Sequence, residues 1–307
     1  MAATGSSTIS SRTSASSSTS DPSRALGARA RGWVRLTHPF PSVLDGLVAG
    51  GTALFASGAL EVAVRIGVSM TALQLGIGAV NDIVDAPRDA GRKAGKPIPE
   101  GLVTSTAAAA LSAACFVLGV ILAATVSPAL GVLAAVVSAI GLSYNLALKG
   151  TAWSWLPFAI GIPILPVYGW LGAAGTLPAA FGVLVPVAVL AGAALAIGNA
   201  LVDVERDRAA GVSSVAVALG PRTSGRVGLG LVAAVWTLAV GSAAIAAPAV
   251  APIAVAAAGL VPVGAALEVV VNRSPAPDRR ERLWQVEAVG FAILAAVWVG
   301  TVLSTRS

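Results

Sequence analysis

Charged residues are scarce in this chain of 307 residues, in which Asp, Glu, Lys and Arg together make up 11%. Soluble globular domains carry about a quarter of their residues as charged side chains. The mean hydropathy of +0.85 agrees with this shortage, and long apolar runs follow one another along the chain. The composition therefore argues against a soluble domain and predicts a protein that resides in lipid.

Cysteine and histidine are almost absent. Cys115 is the only cysteine and His38 the only histidine. An intrachain disulfide is therefore impossible, and a zinc or copper centre built from His and Cys ligands is disfavoured. The sequence offers no visible partner for His38, which indicates a residue at the membrane interface rather than a catalytic base.

Nine apolar stretches are long enough to cross a bilayer, which takes about 20 helical residues. We therefore predict an all-α, polytopic membrane protein with nine transmembrane helices over residues 35–307. Residues 1–34 are rich in Ser, Thr, Ala and Arg and lack an apolar run, so we predict a disordered tail. The nine stretches lie near residues 40–60, 66–83, 103–125, 128–148, 153–172, 178–201, 227–247, 249–271 and 285–304.

The basic residues are unevenly distributed between the two sides that these crossings define. Of the 20 Lys and Arg residues, 18 lie in the tail or in the connections after the second, fourth, sixth and eighth stretches. Because positive residues remain on the cytoplasmic side, we predict a protein of the cytoplasmic membrane whose N-terminus and even connections are cytoplasmic. This topology explains the high pI without a nucleic-acid partner.

A nine-residue pattern occurs twice, as Asn81–Asp89 and as Asn199–Asp207, and both copies fit Asn-x-x-Val-Asp-x-x-Arg-Asp. The copies end the second and the sixth apolar stretches, so four crossings separate them and both lie on the cytoplasmic side. This arrangement indicates a duplicated four-helix unit followed by a ninth helix. Sites often lie at the interface of such repeats.

Oxygen-bearing side chains recur every fourth residue in each copy and would share one face of a helix. Two such stripes suit Mg²⁺, which takes carboxylate ligands and bridges to substrate phosphates. Pro87 predicts a helix break near Asp85 in the first copy, whereas the second copy predicts a continuous stripe. The candidate metal ligands are Asn81, Asp82, Asp85, Asp89, Asn199, Asp203 and Asp207.

Basic residues surround these carboxylates and would hold anionic oxygens, so together they describe a metal-diphosphate site. Tyr144, near the end of the fourth apolar stretch, and Lys149 after it are predicted on the same, cytoplasmic side. The alternative interpretation is a set of salt-bridged helix ends, in which Arg206 and Arg208 pair with neighbouring acids and Tyr144 and Lys149 are interfacial residues. The candidate diphosphate-binding residues are Arg88, Arg92, Lys93, Lys96, Lys149, Arg206 and Arg208.

These motifs resemble the UbiA superfamily of intramembrane prenyltransferases. The first copy, followed by Lys96-Pro-Ile-Pro-Glu-Gly101, is similar to the first aspartate motif of that family. The segment Asp203-x-x-x-Asp207-Arg-x-x-Gly-x-x-Ser214 is similar to the second motif, and Ser143-Tyr-Asn with Lys149 is similar to the segment after the fourth helix. The resemblance covers residues 35–305. It departs at Ala200, where some members repeat the Asn-Asp pair.

The resemblance implies a nine-helix bundle with a lateral opening, in which Mg²⁺ holds an isoprenyl diphosphate on the two aspartate motifs. It implies transfer of the prenyl group to a small, aromatic acceptor. In this interpretation Asp203 holds metal or accepts the acceptor's proton, Tyr144 flanks the allyl cation and Lys149 holds diphosphate. The alternatives are a membrane terpene cyclase, prenyl transfer to a sugar phosphate, and a non-enzymatic transporter.

Overall fold

The computed structural model describes residues 22–91, 93–247, 249–272 and 276–303. The described residues contain helices and no strands, in agreement with the predicted all-α class. In chain order the helices are α1 (Pro22–Leu36), α2 (Pro39–Ser57), α3 (Leu60–Asp89), α4 (Ser105–Val126), α5 (Pro128–Ser143), a π-helical turn (Tyr144–Leu148), α6 (Leu156–Ala174), α7 (Phe181–Val202), α8 (Val204–Ala209), α9 (Val215–Leu219), α10 (Pro221–Ala246), α11 (Ala251–Val271) and α12 (Pro277–Leu303).

Nine helices of the described chain are long and apolar enough to cross a membrane, which confirms the predicted number. They are α2 to α7 and α10 to α12, with the π-helical turn extending α5. Consecutive helices pack against each other, and α12 returns to contact both α2 and α7. The two aspartate motifs lie at one end of this bundle, which we call the aspartate end.

The tail prediction is wrong for residues 22–34, which form most of helix α1. The Ser- and Arg-rich composition suggested disorder because it provides too few apolar residues for a core of its own. The helix instead packs on the rest of the protein, since Leu36 is fully buried in a cluster with Ala79, Val103 and Ala108. Residues 1–21 lie outside the described residues.

Small residues bring α2 and α3 into close contact. The carbonyl oxygen of Gly46 and the Cα of Gly50 would lie only 3.1 and 3.4 Å from a Cβ added to Gly67. Backbones approach this closely only where side chains are missing. This is how membrane helices gain packing energy without a hydrophobic driving force.

A buried polar contact joins three helices near the middle of the bundle. The Ser69 hydroxyl on α3 donates to the carbonyl oxygen of Gly119 on α4 at 2.7 Å, and it lies 2.6 Å from the Tyr168 hydroxyl on α6. All the polar atoms involved find partners within the bundle, as burial in lipid requires. The contact fixes α3, which carries the first aspartate motif, relative to α6.

We predict that Gly50→Leu destabilises the protein. A Cβ at this position would lie 3.0 Å from the Ala63 carbonyl oxygen and 3.2 Å from the Gly67 Cα, so α2 and α3 must separate at a cost of about 1–3 kcal/mol. Unfolding in a titration with dodecyl sulfate measures the loss. Gly241→Leu is the matched control, because nothing lies within 4 Å of a Cβ there. Equal stability of the two variants would contradict the role of the glycine contact.

Candidate active site

The first aspartate motif lies on an unbroken helix, so the predicted break near Asp85 is wrong. Helix α3 continues through Pro87 and ends at Asp89. Pro87 lies in the last turn, where its missing N–H removes only one hydrogen bond near a terminus that frays in any case. Asp85 and Asp89 therefore stand one turn apart on the same helix.

The second motif contains the break that the sequence suggested for the first. Helix α7 ends at Val202, Asp203 has non-helical backbone angles (φ −104°, ψ 8°), and the short helix α8 begins at Val204. The predicted continuous stripe is therefore wrong. Asn199 belongs to one helix and Asp207 to the next, with Asp203 at the corner between them.

Both copies of the motif face one cavity of about 480 Å³ at the aspartate end. Among the described residues, four acidic and four basic side chains line it, together with Asn199 and Tyr144. The formal charges of these eight side chains cancel. The charged residues are Asp85, Asp89, Asp203, Asp207, Arg88, Lys93, Lys149 and Arg206.

A π-helical turn directs Tyr144 and Lys149 into this cavity. The Lys149 amide donates to the Tyr144 carbonyl at 2.8 Å, the i to i+5 bond of a π-turn. Residues five apart then lie on the same side of the helix, and both line the cavity. The sequence analysis missed this turn. Such turns are frequent at functional sites.

Lys149 joins the π-helical turn to the first motif. Its ammonium group contacts the Asp85 carboxylate and donates to Asn81 Oδ1 at 2.9 Å. Asn81 in turn donates to Asn145 Oδ1 at 3.1 Å, and Asn145 donates to the Ile77 carbonyl at 2.9 Å. Asn81 does not line the cavity. It positions the Lys149 ammonium group through the hydrogen bond that its Oδ1 accepts.

Asp82 also lies away from the cavity and is almost completely buried. Its Oδ1 accepts from Lys96 Nζ at 2.6 Å and lies 3.0 Å from His38 Nε2. Lys96 Nζ also approaches Asp89 at 3.4 Å. The position of Asp82 does not support the predicted role of metal ligand; the residue anchors the loop after α3 and the start of α2. His38 thus has the partner that the sequence did not reveal.

The carboxylates of the second motif have separate partners. Asp203 forms an ion pair with Arg206 and accepts from Lys93 Nζ at 3.3 Å. Asp207 accepts from the Ser214 hydroxyl at 2.8 Å. Lys93 follows the first motif, so its contact with Asp203 bridges the two copies across the cavity.

Glu205 of the second motif points away from the cavity and binds Arg280 on α12 through both guanidinium nitrogens. The Arg280 side chain is 4% exposed. Arg208 is exposed and does not line the cavity. The alternative of salt-bridged helix ends therefore describes part of this segment, although the pairs differ from those that the sequence suggested.

Burial and neighbouring charge tune the groups outside the membrane-spanning helices. Burial lowers the pKa of Lys149, although the Asp85 carboxylate opposes this shift. Burial, with the charges of Lys96 and Arg206, lowers the pKa of Lys93. Burial also disfavours the charged form of Lys96, but Asp82 and other carboxylates outweigh it, so the pKa of Lys96 is raised.

The predicted site residues thus divide into two groups. Ten of them line the cavity. Four do not line it, namely Asn81, Asp82, Lys96 and Arg208. Arg92 lies outside the described residues. The described residues include no cluster of three His, Cys, Asp or Glu side chains arranged around a common metal position. The cavity nevertheless presents carboxylate and amide oxygens from both motifs, the donor set that Mg²⁺ prefers. Ser154, which no sequence pattern indicated, and Ser214, which ends the second motif, line the same cavity.

An apolar chamber of about 450 Å³ lies deeper in the bundle, between α2, α6, α7, α10 and α12. Its lining is aliphatic and aromatic, and Asp45 is the one charged residue among the lining residues. On α7 the chamber reaches Leu195, and the polar cavity begins at the next residue, Ala196. The polar site and the apolar chamber are therefore adjacent compartments.

In the part of the chain that the structure describes, nine spanning helices enclose a polar, aspartate-lined cavity beside an apolar chamber. This arrangement defines a membrane protein whose site suits a ligand with an anionic head and a hydrocarbon chain. The model of the UbiA prenyltransferase family matches residues 42–300. This match extends over most of the chain, so the protein belongs to the UbiA prenyltransferase family.

Individual relatives agree with this assignment. The chain is 29% identical over 80% of its length to digeranylgeranylglyceryl phosphate synthase of Methanoregula boonei, covering 86% of that protein. It is 32% identical over 66% of its length to the enzyme of the same name from Natronomonas pharaonis, covering 74% of that protein.

Solved structures share the fold. A UbiA homologue from Aeropyrum pernix superposes with a TM-score of 0.69 at 20% identity, over 89% of this chain and 99% of that one. A homologue from Archaeoglobus fulgidus, bound to DMAPP and Mg²⁺, gives a TM-score of 0.67 at 18% identity, over 86% and 98%. At these identities the likeness concerns the fold.

We predict that Asp82→Asn lowers stability by about 3 kcal/mol. The substitution leaves the buried Lys96 ammonium without its main counter-ion, and breaking one side of a buried pair costs about 3–5 kcal/mol. The free energy of unfolding in detergent measures the effect. Asp278→Asn is the control, since it removes an exposed carboxylate at the start of α12. An unchanged stability of Asp82→Asn would contradict the anchoring role.

Proposed function

We propose that this protein transfers a prenyl group from an isoprenyl diphosphate to an acceptor at the membrane, with Mg²⁺ as cofactor. The observation that carries the proposal is the convergence of both aspartate motifs on one cavity beside an apolar chamber. The polar cavity contains charged side chains that would bind a diphosphate and its metal ion. The apolar chamber would hold the hydrocarbon chain away from water. The Mg²⁺ and DMAPP bound to the Archaeoglobus fulgidus homologue support the same arrangement.

Five residues would hold the metal, because their oxygens line the cavity from both motifs. Mg²⁺ would neutralise the charge that develops on the diphosphate as the allylic carbon–oxygen bond breaks. Loss of one carboxylate from such a set weakens the affinity for the ion. The proposed ligands are Asp85, Asp89, Asn199, Asp203 and Asp207.

The basic residues of the cavity would bind the diphosphate oxygens. Lys93 and Arg206 contact Asp203, and Lys149 contacts Asp85. In the substrate complex these cations can turn to the diphosphate while the carboxylates turn to the metal. Once the substrate is bound, these donors would stabilise the leaving group without further reorganisation at the moment of reaction.

In this proposal Tyr144 flanks the allyl cation that forms at the reacting carbon. Its ring stands edge-on to Phe158, with 5.5 Å between the ring centroids, and it lines the cavity beside Asn199. An aromatic face stabilises positive charge, and the apolar chamber keeps water from the allyl cation. The acceptor's proton passes to a carboxylate of the second motif, and Asp203 is our candidate.

The acceptor class that we favour is a glyceryl phosphate lipid. The support comes from the curated relatives, which are named digeranylgeranylglyceryl phosphate synthases. A small aromatic acceptor is the second candidate, suggested by the resemblance of the sequence motifs. We also propose that the aspartate end faces the cytoplasm, since 18 of the 20 basic residues belong to the segments predicted on that side.

We predict Mg²⁺-dependent release of pyrophosphate from labelled geranylgeranyl diphosphate, with label appearing in the acceptor. Chelation by EDTA should abolish turnover and added Mg²⁺ should restore it. Asp85→Asn should lower kcat/KM by about 100-fold or more, because it removes a metal ligand and frees Lys149. Asp278→Asn, which removes an exposed carboxylate that does not line the cavity, should retain activity.

The products distinguish the alternatives when a glyceryl phosphate lipid, a small aromatic acceptor and a sugar phosphate are each supplied. Labelled lipid phosphate supports the favoured acceptor, and labelled aromatic product supports the second. A labelled hydrocarbon formed without acceptor would establish a cyclase. A labelled prenyl sugar phosphate would establish a sugar phosphate as the acceptor. Substrate uptake into vesicles without pyrophosphate release would overturn the enzymatic proposal in favour of a transporter.

We predict that Ala188→Phe shortens the prenyl chain that the enzyme accepts. Ala188 lines the apolar chamber, so a phenyl ring there removes space from the far part of the chain while the polar cavity stays intact. The ratio of kcat/KM for geranylgeranyl and dimethylallyl diphosphates should fall. Ala114→Phe, on an exposed position of α4, is the matched control. An unchanged ratio would show that the prenyl chain lies elsewhere.

A further inference from the structure

Helix α1 presents an apolar stripe to its surroundings. Leu26, Trp33 and Val34 are 71%, 39% and 58% exposed, and Ala30 is exposed as well. These positions follow the i, i+4, i+7, i+8 spacing that places side chains on one face of a helix. An exposed continuous stripe of this kind marks an interaction surface.

Arginines flank the stripe on both edges. At 100° per residue, Arg31 and Arg35 lie beyond one edge of the stripe and Arg29 beyond the other, and all three are exposed. The sequence of α1 contains no acidic residue. A basic, amphipathic helix with Trp and Leu on its apolar face is typical of a helix that lies in the membrane interface.

The third face of α1 is held by the protein. Leu36 is fully buried among Ala79, Val103 and Ala108. A Cβ on Gly32 would lie 2.9 Å from the Leu102 Cβ, so this face touches the loop that follows α3. Because these contacts fix the rotation of α1 about its axis, the apolar stripe cannot turn inward.

The position of α1 in the chain brings it to the membrane boundary. The helix ends at Leu36, and the membrane-spanning helix α2 begins at Pro39. His38 between them has a left-handed backbone conformation (φ 46°), which redirects the chain. A helix joined by two residues to the end of a spanning helix lies at the depth of the lipid head groups.

We propose that α1 binds the surface of the leaflet at the aspartate end, with its apolar stripe at the boundary of head groups and acyl chains. Its arginines bind anionic phospholipid head groups. The charge of the helix selects this partner, because three exposed arginines on a helix that contains no acidic residue are attracted to an anionic surface. This inference is independent of the proposed reaction.

The first test uses spin labels on the full-length chain in nanodiscs of phosphatidylcholine and phosphatidylglycerol. The single cysteine permits a clean background, Cys115→Ser. A label on Ala30→Cys should be more accessible to dissolved oxygen than to a nickel chelate, and a label on Arg31→Cys should show the reverse. Equal access of the nickel chelate to both labels would overturn the proposal. Shielding of the Ala30→Cys label from both reagents would show a protein partner and would also overturn it.

The second test addresses the anionic head groups. Replacing phosphatidylcholine by phosphatidylglycerol should reduce nickel-chelate access to the Ala30→Cys label several-fold. Arg29→Gln with Arg31→Gln should abolish this lipid dependence. The control pair Arg222→Gln and Arg226→Gln, which removes the same charge from exposed positions of α10, should preserve it. A lipid dependence that survives Arg29→Gln with Arg31→Gln would overturn the role of the arginines.

Discussion

The aspartate end depends on ion pairs between partly buried carboxylates and cations. A carboxylate in a low-dielectric environment is stable only when a cation or several hydrogen bonds compensate it. Asp82 has Lys96 and His38, and Asp85 has Lys149. Since each partner comes from a different segment, these pairs fix the loop after α3, the start of α2 and the π-helical turn around one cavity. The geometry of the site follows from this requirement.

The ion pairs differ in burial and, with it, in their role. The pair of Asp82 and Lys96 is 2% and 11% exposed at the side chains and lies outside the cavity lining, so it maintains structure. The pairs of Asp85 and Asp203 face the cavity, where, in the mechanism that we propose, their partners exchange for a metal ion and a diphosphate. Asp82 therefore anchors a loop, whereas Asp85, three residues later, is a proposed metal ligand.

Small residues shape both the helix contacts and the apolar chamber. Glycines bring α2 and α3 together on one side of the bundle, whereas alanines along α7 and α12 line the apolar chamber on another. Small residues thus have two opposite effects. They allow close contact where another backbone approaches, and they leave open space where none does. The π-helical turn that follows α5 brings Tyr144 and Lys149 to the polar cavity. Membrane helices tolerate such irregular turns where the freed backbone groups find partners.

The sequence by itself determined the number of spanning helices, the repeated motif and the class of chemistry, because hydropathy and residue spacing are local properties. It did not determine which motif is continuous: Pro87 is tolerated within the last turn of α3, whereas Asp203 lies at a break although the second motif contains no proline. Nor did it separate Asp82 from Asp85: residues three apart differ by only about 60° in direction around a helix, and the packed neighbours decide which one faces the cavity. The partner of His38 and the fixed rotation of α1 likewise depend on contacts between residues distant in the chain, which only the tertiary structure brings together.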